Sequence, residues 1–148
     1  MACEFYRSPV GILRIISDGE AITEISISEE GISENDELTV QTVEQLREYF
    51  EGKRQKFSLP LKPEGTLFQQ RVWKVLAGIP YGEALTYGQV AELAGYAKAY
   101  RAVGNAVGKN PILIAIPCHR VKAANGLGGF SAGIENKKFL VALENIII

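Results

Sequence analysis

Residues that build metal sites and covalent cross-links are scarce in this sequence, whose 148 residues include two cysteines, Cys3 and Cys118, and one histidine, His119. Two cysteines cannot form the network of bridges that staples small secreted domains. With one histidine they also fall short of the four nitrogen and sulfur ligands of a closed zinc site; no metal and no other cofactor is expected. Long apolar runs are missing as well. Nothing approaches the roughly 20 consecutive apolar residues that cross a bilayer, and Met1-Ala2-Cys3-Glu4-Phe5 shows no basic stretch leading into an apolar core. These absences lead us to expect a cytoplasmic monomer with no membrane role. Cys3 is read as an edge residue without chemistry.

What is present is ordinary for a globular chain, 47% hydrophobic and 22% charged, in a length that suits one domain or two small ones. The formal net charge of −1 conceals an uneven distribution. Residues 1–65 hold 7 Lys/Arg against 13 Asp/Glu, a balance of −6, whereas residues 66–148 hold 9 against 4, a balance of +5. A basic half carried by an acidic one points to a polyanionic partner for the second half.

The break between the halves falls at Pro60-Leu61-Lys62-Pro63-Glu64-Gly65, which interrupts every periodicity. We therefore expect an α+β chain of two parts: an amino-terminal sheet-and-helix support over 1–60, and a mostly helical, winged-helix-like domain over 66–148. In the first, Val10–Ile16 and Ala21–Ile27 flank Asp18-Gly19, a hairpin signal. Val40, Val43, Leu46 and Phe50 recur at helical spacing, and Phe57 with Leu59 suggests a last short strand. In the second, Phe68, Val72, Val75 and Leu76 share a helix face from which Trp73 turns partly away. Thr86-Tyr87-Gly88-Gln89 has the form of a capping box and opens a helix bearing Val90, Leu93 and Ala94, which Gly95 should stop. A helix over 99–108 follows, with Val103 and Val107 inward, and the pair reads as a helix-turn-helix. A last helix over about 135–145 should bury Phe139, Leu140 and Leu143.

Two features carry chemistry. The helix Ala99-Tyr100-Arg101-Ala102-Val103-Gly104 presents small residues and one arginine, which suits close approach of a backbone to a nucleic-acid groove. The segment Ile116-Pro117-Cys118-His119-Arg120-Val121 sets the single histidine beside a cysteine, where His119 can take the thiol proton and Arg120 adds fixed positive charge. The apolar run Ile112–Ile116 leads into it, which places the thiol at the mouth of a buried element.

Those blocks, with Asn110-Pro111, Gly128-Gly129-Phe130-Ser131-Ala132-Gly133, Lys137-Lys138-Phe139-Leu140 and Glu144, resemble the 6-O-alkylguanine-DNA alkyltransferases, the methylated-DNA–protein-cysteine methyltransferases. The resemblance covers nearly all of 66–148. Before residue 60 it is confined to length and to Ser8-Pro9-Val10-Gly11. It implies repair of double-stranded DNA containing alkylated guanine by direct reversal, an irreversible transfer of the alkyl group to Cys118. It implies a catalytic set of Cys118, His119 and Glu144, with Glu144 orienting the imidazole. Arg101 would fill the space left by a flipped base, and Tyr87 would face that base and crowd its phosphate. Cys118, Val121 and Ser131 would line the base pocket through backbone groups, and Asn110 would tie the recognition helix to the active-site segment. Ala102, Gly104 and Arg120 are carried over as DNA-side residues. Tyr100 stands where family members usually have a small residue.

Three other readings stay open on the residues alone. Cys118, His119 and Glu144 would also suit a cysteine hydrolase. A helix-turn-helix with a base pocket would suit a module that binds damaged DNA without reacting, and a helix-turn-helix alone would suit a regulator.

Overall fold

The computed structural model describes Met1–Ile148. Its residues group into two compact units, Met1–Glu64 with Pro111–Ala115, and Gly65–Asn110 with Ile116–Ile148.

The first unit is an antiparallel sheet in the order β1 (Ala2–Ser8), β2 (Gly11–Ser17), β3 (Ile22–Ile27), followed by α1 (Glu37–Phe50). β2 is the central strand, and its alternation buries Leu13 and Ile15 completely. The Asp18-Gly19 hairpin forms as expected. Asp18 Oδ1 accepts from the N–H groups of Glu20 and Ala21, and Gly19 takes the positive φ of 95° that the turn demands. β1, which no β-branched run announces, forms by pairing along β2 from Ala2↔Ser17 to Ser8↔Gly11. Cys3 lies within it, half-buried on an edge strand, as expected.

α1 starts at Asp36, whose carboxylate accepts from the Thr39 N–H at 2.8 Å while also accepting from Ser17 Oγ at 2.7 Å. That double use fixes the helix phase. The buried face is Thr39, Thr42, Leu46 and Tyr49, whereas Val40 is 52% exposed. The expected stripe through Val40, Val43 and Phe50 is therefore turned by about one residue. Thr42 can face inward because its hydroxyl donates to Leu38 O, 2.8 Å away. Phe57 joins this core through its ring, 5.7 Å from that of Tyr49, and not as a strand.

Strand-like pairing beyond β3 falls instead at two single bridges, Ile22 with Leu61 and Ile25 with Ile112. The second uses hydrogen bonds from Ile25 N–H to Pro111 O (3.0 Å) and from Leu113 N–H to Ile25 O (2.9 Å). The apolar run expected as one element is thus divided between the units after Ala115. Ile114 bends it at φ 71° in a turn closed by Ala115 N–H to Leu113 O at 2.8 Å. For a β-branched residue that is a strained conformation.

The second unit holds α2 (Leu67–Ala77), β4 (Leu85–Thr86), α3 (Tyr87–Ala94), α4 (Tyr100–Gly108), a 3-10 turn (Cys118–Arg120), β5 (Val121–Lys122) and α5 (Ile134–Leu143). β4 and β5 pair in parallel, Leu85↔Val121 and Thr86↔Lys122. The Thr86–Gln89 capping box is formed, and Gly95 ends α3 in the left-handed conformation at φ 87°. An equivalent box, Thr66–Gln69, opens α2 and escaped the sequence reading. α2 packs on both α3 and α4. Trp73, expected to lean outward, is 2% exposed because its indole N–H donates to Ala106 O at 2.8 Å. α4 turns Val103 and Val107 inward as expected. Leu93 is 66% and Phe139 40% exposed, so α3 buries Val90, Ala91 and Ala94, and α5 buries Lys137, Leu140 and Val141.

Gly65 gives Trp73 its place. A Cβ there would overlap the indole, 2.6 Å from Cζ3, and lie 2.6 Å from Gln69 Oε1. Gly65→Ala should therefore lower stability by about 1–3 kcal/mol through overpacking. Gly126→Ala, where a Cβ meets nothing within 4 Å, should stay within about 0.5 kcal/mol of the parent. Urea unfolding followed by emission of the single tryptophan checks both.

Candidate active site

The cysteine sits in a tight double turn. Pro117, at φ −81° and ψ 71°, closes a three-residue turn in which Cys118 N–H donates to Ile116 O at 2.8 Å. Arg120 N–H then donates to Pro117 O at 3.0 Å, forming the 3-10 turn. This geometry sets Cys118, His119 and Arg120 in succession inside the unit, each at 6% exposure or less. Asn110, at the end of α4, holds the entry: its Nδ2 donates to Ile116 O at 2.7 Å, and its side chain also hydrogen-bonds Cys118. These bonds link the end of α4 to the segment that carries Cys118.

Glu144 caps the end of α5 and collects four donors. His119 Nε2 lies 2.6 Å from Oε2, Arg120 Nε and Nη2 donate to the two oxygens at 2.8 and 3.1 Å, and Gly82 N–H donates to Oε1 at 3.2 Å. A carboxylate accepting from two cationic donors and a peptide N–H is ionised, so the short bond to His119 runs from imidazole N–H to carboxylate oxygen. The other ring nitrogen, Nδ1, is then the basic one. It is buried and has no hydrogen-bond partner.

Arg120 corrects an expectation. The resemblance places it with the DNA-side residues, but the guanidinium is spent inside the unit on Glu144 and on Ile79 O, 2.7 Å from Nη1. Lys137, which the resemblance includes without giving it a role, belongs to the site. It is fully buried, and Nζ donates to Val121 O at 2.6 Å and Gly129 O at 2.9 Å. Its signal was there to find: it lies three residues before Leu140, on the inward face of α5.

Burial shifts the Cys118 thiol, the Lys137 ammonium and the His119 imidazole toward their neutral forms. It pushes the Cys118 thiol up to about 11, against the Asn110 hydrogen bond and the Lys137 charge that pull it down. It brings the Lys137 ammonium down to about 8, against the attraction of Cys118. His119 is lowered by burial too, with Glu144 opposing.

Tyr87, at the start of α3, closes the site from the side of the helix-turn-helix. It receives the Gly129 N–H at its hydroxyl, and burial raises its pKa. Gly128, at φ 79°, lets the loop pass this close, since a Cβ there would lie 3.3 Å from the Tyr87 hydroxyl and 3.1 Å from Ala123 N. Tyr87, Gly104, Val107, Phe130 and Ser131 line a cavity of about 220 Å³. Three expected residues, Tyr87, Gly104 and Ser131, therefore meet in one hollow. Arg101 and Ala102 are exposed on α4, and Ala102 faces a separate hollow with Thr66 and Asn105. Val121 is fully buried.

Comparison with known proteins bears on both units. Residues 1–63 match the ribonuclease-like domain, and residues 67–146 the DNA binding domain, of 6-O-methylguanine DNA methyltransferase. A methylated-DNA–protein-cysteine methyltransferase of Haemophilus influenzae is 49% identical over 96% of this chain and 85% of its own length. One from Methanosarcina acetivorans is 41% identical over 94% and 95%. Among solved structures, a Mycobacterium tuberculosis OGT in complex with DNA is 40% identical, with a TM-score of 0.90 over 97% of this chain and 92% of that one.

The Lys137 charge acts on the thiol only while the ammonium is protonated, below about pH 8. Lys137→Met removes that charge with little change of shape. Below pH 8 the variant should hold less thiolate, and Cys118 should react with a small alkylating probe about tenfold more slowly, the factor that one unit of pKa gives. Above pH 8, where the wild-type amine is neutral, the two rates should converge. Equal rates below pH 8 would limit Lys137 to holding the Val121 and Gly129 carbonyls.

Proposed function

For a chain that belongs to the 6-O-methylguanine DNA methyltransferase family, we propose that Cys118 is the acceptor and that His119, Glu144, Tyr87 and Arg101 serve the transfer in distinct roles. The protein is a methylated-DNA–protein-cysteine methyltransferase, which repairs DNA by moving an alkyl group from guanine to one of its own cysteines. Its partner is DNA. The observation that carries the assignment of roles is the orphaned Nδ1 of His119, next in sequence to the only cysteine of this unit, with Nε2 fixed 2.6 Å from Glu144.

The chemistry follows from those atoms. The thiol proton passes to His119 Nδ1 through a water, and the resulting thiolate attacks the alkyl carbon opposite the guanine O6. The carbon–oxygen bond breaks with its electron pair going to the base, and a carbon–sulfur bond forms. The proton held on His119 returns to the displaced guanine at N1, which leaves intact guanine and a neutral thioether. Tyr87 donates its hydroxyl proton toward the ring as negative charge builds there. Nothing among these groups cleaves a thioether, so each molecule acts once.

A stacked base cannot reach a buried thiol, so the nucleotide is flipped out of the duplex. Arg101, exposed near the start of α4, fills the gap it leaves. The small residues Ala102 and Gly104 let that helix come close to the DNA, and the +5 balance of residues 66–148 draws the phosphates. The backbone of Cys118, Val121 and Ser131 holds the base. In this reading residues 1–60 are a support and residues 66–148 do the binding and the transfer. Cytoplasmic placement fits a DNA repair enzyme; no helix of the chain is long and apolar enough to cross a membrane.

Mass spectrometry after mixing with duplex DNA containing 6-O-methylguanine tests the acceptor. One methyl group should appear on Cys118, and Cys118→Ala should keep DNA affinity while losing all transfer. Repeated turnover with unmodified protein at the end would favour a hydrolase. A second comparison isolates flipping: Arg101→Ala should slow repair of duplex DNA at least tenfold more than reaction with free 6-O-benzylguanine. Equal losses on the two substrates would remove Arg101 from that role.

A further inference from the structure

Arg120 follows the nucleophile and the base in sequence, and the mechanism above gives it no task. Its guanidinium grips Glu144 through Nε (2.8 Å) and Nη2 (3.1 Å), donates to Ile79 O through Nη1 (2.7 Å), and lies over the Tyr81 ring, 5.7 Å from the centroid. The arginine is 6% and the glutamate 2% exposed. On the other flank of the same carboxylate sits His119 Nε2, at 2.6 Å. One anion therefore faces two partners, one permanently cationic and one that can become so.

The electrostatics of such a set depend on the arginine. A buried carboxylate paired only with a histidine gains by charging it, since the imidazolium neutralises an anion that water cannot reach. A carboxylate already neutralised by a bidentate arginine gains little, and a proton on His119 then leaves a net positive charge buried. A charged His119 has a proton on Nδ1 and cannot accept another. We propose that Arg120 is a positioning residue for the transfer, acting through Glu144: by neutralising that carboxylate, it lets Glu144 orient His119 without charging it. The inference rests on His119 being the proton acceptor.

Three charged groups act on the imidazole: Glu144 at the C-cap of α5, Lys137 from α5, and Arg120 from the 3-10 turn. Burial disfavours the imidazolium most, and the charges of Arg120 and Lys137 add to it, while Glu144 alone favours it. The task of Arg120 is thus separate from DNA contact, and needs a fixed charge with a two-pronged geometry.

His119 is the only histidine in the chain, so its ring ¹⁵N signals can be followed without assignment, in resting protein with no DNA. Wild-type protein should show the neutral tautomer protonated on Nε2 at pH 7 and above, because burial holds its pKa below the ordinary value of about 6.5. Arg120→Gln, which keeps a donor to Glu144 but no charge, should move the His119 titration upward by about 1 to 2 in pH. Arg120→Lys should restore most of the wild-type titration. In parallel, methyl transfer by Arg120→Gln should fall several-fold near pH 6.5 and recover as pH rises, whereas a purely structural defect would lower it equally at every pH. An imidazolium in the wild type at pH 7, an unmoved titration in Arg120→Gln, or an equal displacement in Arg120→Lys would overturn the proposal. The wild-type spectrum decides even if Arg120→Gln does not fold. Since the titration involves no transfer, it fails independently of the assignment of Cys118, which the mass measurement reads.

Discussion

The Glu144 carboxylate is the constraint on which the catalytic unit depends. An ionised carboxylate at 2% exposure would cost several kcal/mol if left unpaired, and four donors prevent that. The donors arrive from two places, His119 and Arg120 from the 3-10 turn and Gly82 from the segment after α2, while the C-cap of α5 supplies the acid itself. Satisfying one buried charge therefore fixes the relative positions of the nucleophile turn, the last helix and the α2–β4 connection. Tyr81 adds to the same junction, with its hydroxyl donating to Leu143 O at 3.3 Å. The geometry of the Cys118 turn and local stability are here the same set of bonds.

Around that junction burial shifts the remaining groups toward their neutral forms. The thiol is raised, and the lysine and the histidine are lowered. Lys137 is the counterweight: its ammonium has backbone carbonyls as hydrogen-bond partners, and its charge bears on Cys118. A site built this way is quiet at rest and depends on short-range charge and on a proton acceptor to form the thiolate. The loop of Gly128 and Gly129 belongs to the same device, since the Gly129 peptide meets Lys137 through its carbonyl and Tyr87 through its N–H. The wall of the Tyr87 cavity and the charge beside the thiol are thereby joined.

Local rules announced several elements correctly. The Asp18-Gly19 hairpin, the Thr86–Gln89 box and the Gly95 stop depend on backbone chemistry within a few residues, which a sequence displays directly. Helix faces were legible less well. In α1, α3 and α5 a large apolar residue of the expected stripe, Val40, Leu93 or Phe139, is exposed, while Thr39, Ala91 or Lys137 lies inside. Burial of threonine and lysine needs distant acceptors or caps, such as Ser17 bonded to Asp36 or Val121 O bonded to Lys137, and no periodicity encodes those. Trp73 is the same case: its partner, Ala106 O, lies 33 residues away.

The sequence by itself determined the α+β character and the order of the residues in the Cys118 segment. Cysteine, histidine and arginine in succession after a proline are a covalent fact that folding does not alter. Tertiary structure decided what each of the three does. Arg120 turned inward to a carboxylate 24 residues away, Lys137 brought its charge to bear on the thiol, and His119 was left with one nitrogen bound and one free. The physical reason is that a charge in a dry interior must find its partner in space, and the partners here are far apart along the chain.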